Sequence, residues 1–205
     1  MSEPDAAFLK IKIDRADLVA WLADPPPLAS AWRDWRGIGG EYYFDDLTRP
    51  LTEFADAEMD EITAQCDKQL RGYENNRVAL RDRLVSTDEP FLTHIAYDAE
   101  AREFIAGVLA YSDNLFDLIV FLTIARGATK RLKPDGYGVI AVHNYIWIDE
   151  KETTTALRLG PGDRSEFMAP ADFASAAGVF QSIADEVTNS KTNPPPGRND
   201  LETLK

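Results

Sequence analysis

Apolar and polar positions alternate cleanly near the start of the chain. Across Phe8–Ile13, Leu9, Ile11 and Ile13 fall on one side and Lys10 and Lys12 on the other, the period-two signature of a half-buried strand. The period lengthens at Asp14. This residue can N-cap a helix, and Asp17 adds a carboxylate in the first turn, where the helix dipole favours it. Leu18, Trp21 and Leu22 supply the apolar face, and Pro25-Pro26-Pro27 end the helix. Residues 28–53 are aromatic and Gly-broken, and they predict a short helix, a loop and a short strand over Tyr42–Phe44. Beyond them Ile62, Cys66, Leu70, Tyr73, Arg77, Leu80 and Leu84 recur at three- and four-residue steps. This predicts one long amphipathic helix over about 54–84, with Gly72 as a point of breakage. Such a helix would run about 45 Å at 1.5 Å per residue.

The second half reads as strand, helix, helix, hairpin, helix. "FLTHIAYD" after Pro90 predicts a strand and "AEAREFIAGVLAY" a helix. Ser112 can cap a further helix running to Arg131, apolar nearly all round in its middle, as a central buried helix is. Val139–Ile148 and Thr153–Leu159 predict a β-hairpin, which "GPGD" (Gly160–Asp163) closes. Pro170 and Asp172 open a last helix to about Val187. This order predicts an α+β fold: an antiparallel or mixed sheet of about four to five strands packed by helices. The single domain spans 1–188, and 189–205 form a disordered or loosely attached tail, because no core-forming pattern continues there.

Charge narrows the function classes. The 205 residues carry 22 Lys and Arg against 35 Asp and Glu, a net charge of −13. Phosphate backbones and anionic bilayers repel such a surface, so neither nucleic acid nor membrane is an expected partner, whereas a basic protein is attracted and steered. Cys66 is the only cysteine, which excludes an intrachain disulfide. With no basic-then-apolar leader pattern at the N-terminus, the expectation is a cytoplasmic protein.

Candidate chemistry is sparse. One cysteine and two distant histidines give no metal-ligand spacing, and no cofactor is expected. The carboxylate runs lack the order of a calcium loop. Gly37–Gly40 and Gly160–Asp163 do not link a strand to a helix, so they are not phosphate-binding loops. Cys66 falls on the apolar stripe, where a thiol is packed and inert. His143 shares a strand face with Tyr145 and Trp147, and it reads first as a sheet residue in want of a hydrogen-bond partner. With Tyr145 it is also the alternative acid–base pair. His94 has the same first reading. Trp32 and Trp35, interleaved with Arg33 and Arg36, combine the residue types that dominate interface hot spots, and they read equally as a helix whose tryptophans are core with the arginines stacked on them. Most distinctive is 41–61, where eight carboxylates meet one base, Arg49.

A protein-binding protein follows. Glu41, Asp45, Asp46, Asp56, Asp60 and Glu61 are the expected contacts to a basic, toxin-like partner, with Trp32, Trp35, Tyr42 and Tyr43 as anchors. In character (acidic, motif-poor, α+β) the chain resembles small bacterial immunity proteins, and the resemblance implies occlusion of a toxin's active site. Two alternatives stand beside it. One is a small-molecule enzyme using His143 and Tyr145, and the other is an assembly subunit associating through the long helix.

Overall fold

The computed structural model describes residues 5–85, 92–144, 152–176, 178 and 198–205. The fold is α+β, but the sheet has seven strands rather than four or five, in the order β8-β7-β6-β1-β5-β4-β9. The strands are β1 (Ala6–Lys12), β4 (Thr93–Asp98), β5 (Glu103–Val108), β6 (Tyr137–Asn144), β7 (Glu152–Gly160), β8 (Arg164–Phe167) and β9 (Arg198–Asn199). All neighbours are antiparallel except β4 and β9, so the sheet is mixed. A separate hairpin pairs β2 (Glu41–Phe44) with β3 (Leu47–Pro50).

Three of these strands depart from expectation. β5 lies in the segment predicted as helix. It is paired on both edges and packed on both faces, so the alternation that would betray it is blurred. Phe104, Ala106 and Val108 face the main core, while Gly107 lies under Phe8, whose ring a Cβ would meet at 2.4 Å. The turn into β5 is set by Asp98, which accepts from the backbone N–H of Glu100 and Ala101 at 2.8 and 2.9 Å. β8 follows the Gly160–Asp163 turn, where Gly162 and Asp163 take positive φ, so that motif begins a second hairpin instead of ending the sheet. The third, β9, belongs to a docked C-terminal segment. Leu201 and Leu204 are buried, and Arg77 donates to the carbonyls of both. A loose tail from 189 onward therefore does not describe 198–205. Residues 189–197 lie outside the described set, as do 145–148 of the expected strand and most of the helix expected to reach Val187.

The long helix is also corrected. Residues 54–84 form two helices, α2 (Asp56–Leu70) and α3 (Asn76–Leu84). The chain turns through Arg71–Gly72–Tyr73, and Asn75, in extended geometry, caps the new helix by accepting from Val78 N at 3.0 Å. The apolar rhythm runs on across the break because both helices turn their stripes into one core. That core lies between the sheet and the helices α1 (Arg15–Ala23), α2, α3 and α4 (Leu115–Arg126). α4 is buried from Leu118 through Arg126, as its all-round apolarity requires. Asn114, not Ser112, caps it, accepting from Phe116 N at 2.9 Å. A smaller cluster on the opposite sheet face joins Phe8, Leu109, Ala141 and Ala156 to Met168 and Ala176.

Candidate functional site

The acidic segment is built as a hairpin followed by the start of α2. Asp45 and Asp46, with φ of 53° and 61°, make a two-residue turn of the hairpin-forming type, a backbone region that Asp tolerates. Register assigns the faces. Tyr42 opposes Arg49 and Phe44 opposes Leu47 on the inner face, and Glu41 opposes Pro50 and Tyr43 opposes Thr48 on the outer. Tyr42 is buried, and this, with the charges of Asp5 and Asp113, pushes its phenol well above its ordinary range. It is a core residue rather than an anchor. Tyr43 is 68% exposed, the most exposed large hydrophobic among the described residues, followed by Leu47 at 60%. Tyr43 Oη donates to Asp46 Oδ1 at 2.8 Å, which raises its pKa.

The eight carboxylates divide in two. Asp56 pairs with Arg36 at 2.9 Å, Glu58 with Arg49, and Asp60 with Arg33. Glu58 also accepts from Ala55 N at 2.7 Å, and that bond, followed by Arg49, holds its carboxyl below the usual range. Arg49 lies over the Phe54 ring at 4.4 Å, fastening the hairpin to α2. The other five, Glu41, Asp45, Asp46, Glu53 and Glu61, have no basic partner within ion-pair distance among the described residues. All are exposed. Of the six carboxylates expected to make contacts, Asp56 and Asp60 are thus already engaged within the chain.

The tryptophans separate likewise. Trp35 is buried, donates its indole N–H to Ala29 O at 2.9 Å and packs edge-on against Trp32 and Phe167, so it too is core rather than anchor. Trp32 is half-buried. It walls a cleft of about 320 Å³ with Arg33, Arg36, Asp56 and Asp60 above Met59 and Thr63. Beneath lies a feature the sequence did not disclose. Arg126, fully buried, donates to both oxygens of Asp34 at 2.7 and 2.8 Å and stacks against Trp32, Trp35 and Phe167 at 5.2, 4.6 and 5.0 Å. Its last-turn position in α4 predicts only a dipole contact. Half of the cleft is present in the spacing, since Asp56 and Asp60 share a face of α2, whereas Arg33 lies in a bend before the short turn that carries Arg36.

His143 sits on β6 at a bulge, opposite Ala6 and Thr153 in register. Its side chain and all of Tyr145 lie outside the described set. His94 is buried on β4. Cys66 is buried, with Sγ 3.7 Å from Phe116 O, and burial pushes its thiol up to about 12. Among the described residues, no three His, Cys, Asp or Glu side chains gather to hold a metal, and no helix is long and apolar enough to cross a membrane.

No protein-family model, curated protein or solved structure matches the chain.

Proposed function

We propose that this α+β protein is a binding protein that docks a basic protein partner through its β2–β3 hairpin, in the manner of an immunity protein occluding a toxin's active site. One observation carries the reading. Tyr43, the most exposed large hydrophobic among the described residues, stands on the same short hairpin as the carboxylates of Glu41, Asp45 and Asp46, which lack basic partners among the described residues, and Leu47 is exposed on the other face beside the same turn. An aromatic anchor ringed by uncompensated charge supplies both a desolvating contact and electrostatic steering. Catalytic clefts of toxins that act on nucleic acids are positive, which is the complementary surface. We take the cytoplasm as the compartment, in keeping with a single buried cysteine.

The test is affinity capture from the host with wild type and a Tyr43→Ala/Leu47→Ala variant. Both side chains are exposed, so the variant folds. The expected result is a basic partner whose Kd rises at least about tenfold with the variant, since aromatic anchors carry most interface energy, and whose binding weakens with salt. Equal capture of a basic partner by both proteins, or a salt-insensitive acidic partner, refutes the reading.

A further inference from the structure

Two ion pairs bridge the Trp32 cleft, and they are not alike. Arg36 is anchored twice, to Asp56 at 2.9 Å and to Phe54 O at 2.6 Å, and its side chain is 33% exposed. Arg33 holds only Asp60 among the described residues and is 77% exposed. Arg36 is part of the wall, whereas Arg33 is exposed and held at one point. With Arg33 withdrawn, the cleft keeps one cation, Arg36, against two carboxylates, Asp56 and Asp60. What remains is an aromatic wall, a floor of Met59 and Thr63, and one uncompensated negative charge.

We propose that this cleft receives an arginine side chain of the partner, which displaces Arg33 from Asp60 and stacks on Trp32. The step builds on the basic-partner reading above. The same fold already holds one arginine this way, since Arg126 is clamped by a carboxylate and stacked against Trp32 and Trp35. The exchange is nearly isoenergetic at the carboxylate, because one guanidinium replaces another on Asp60 and an exposed ion pair contributes little by itself. The gain is the stacking, since Arg33 lies over no aromatic ring among the described residues. The hairpin then supplies attraction, and the cleft supplies selection for a guanidinium.

The test needs no partner protein. Argininamide is titrated into the full chain while the Trp32 indole N–H is followed by NMR, with citrullinamide, its uncharged near-isostere, as control. The expected result is a saturable shift with argininamide and none with citrullinamide. Arg33→Ala, which removes the resident guanidinium, tightens binding by up to about fivefold, the fold-change that an exposed ion pair converts to. Asp60→Asn weakens it. Both positions are exposed, so both variants keep the fold. No saturation in wild type and Arg33→Ala, an unchanged affinity in Arg33→Ala, or equal binding of citrullinamide overturns the assignment. Because the titration reports on the cleft alone, its failure leaves the hairpin reading to be judged by the capture experiment.

Discussion

Removing the carboxylate of Asp34 is the sharpest test of how the molecule is held together. Arg126 has no exposed side-chain surface, and Asp34 is its sole carboxylate partner among the described residues. Deleting one member of a buried pair costs about 3–5 kcal/mol, because the charge left behind is neither hydrated nor neutralised. Asp34 is itself 45% exposed, so water recovers part of the loss, and about 2–3 kcal/mol is expected for Asp34→Ala. At this chain length that lowers Tm by about 4–12 °C.

Arg126→Met is expected to behave differently. It removes the charge along with its need for a partner, and it leaves an apolar side chain against Trp32, Trp35 and Phe167, which thioethers contact favourably. The lost cation–π contacts are partly offset, Arg126 Nε has no hydrogen-bond partner to lose, and the net cost is about 0–1.5 kcal/mol. The double variant then costs little more than Arg126→Met alone. Urea unfolding of the four proteins, read from midpoints at constant slope, gives the coupling directly. The reasoning fails if Arg126→Met is as damaging as Asp34→Ala, or if the two changes simply add.

Three other outcomes follow from the geometry. Asn75→Ala removes the cap that starts α3 and lowers stability by about 1 kcal/mol in the same urea assay; no change would mean the helix break is set by packing alone. The Asp14 carboxyl is held below its ordinary range by Lys133 and then Arg102, and Asp135 by Arg102. A depressed folded-state pKa contributes stability that is complete above the unfolded value of about 4 and is lost as pH falls through the folded value. Stability measured from pH 5 downward therefore declines, and Asp14→Asn flattens that decline; an unchanged slope would refute the assignment. Cys66, with its thiol pushed up to about 12, resists an aromatic disulfide reagent at pH 8 until the chain unfolds, and rapid labelling of the native protein would show that its burial is breached.

Where one face of an element meets water, its pattern was readable. The first strand and the first helix stand close to where the spacing of Leu9, Ile11, Leu18, Trp21 and Leu22 puts them. Where both faces are covered the pattern is lost, as at β5, whose sequence predicts a helix: Gly107 and Phe8 fill one face and Phe104 and Ala106 the other. The helix break at Arg71–Tyr73 was hidden for the opposite reason, since two helices that share one core keep a common rhythm across the gap. Asp14 occupies the N-cap position as expected, but its carboxylate makes no cap bond and is spent on Arg102 and Lys133, partners far off in sequence. The hairpin is legible in part: the run Tyr42–Phe44 predicts its first strand, while nothing in the sequence marks Leu47 before its strand partner is known.

The crowding of negative charge between 41 and 61 was the reason to expect a docking face, and the fold answers that expectation unevenly. Three of the eight carboxylates have bases: Arg36 and Arg49 tie the approach to the hairpin, and the hairpin itself, to α2 through Asp56 and Glu58, while Asp60 holds only the exposed Arg33. Had all eight been paired, the segment would be a folding device and nothing more. Five are left without bases, three of them on the hairpin that also exposes Tyr43 and Leu47. Stability alone explains neither feature: unpaired like charges oppose compactness, and exposed Tyr and Leu side chains gain nothing from folding. On the reading proposed above, one contact at the hairpin tip relieves both costs. That contact requires positive charge to meet Asp45 and Asp46 and a concave apolar patch to cover Tyr43, so a partner that satisfies only one of the two would leave the hairpin unexplained.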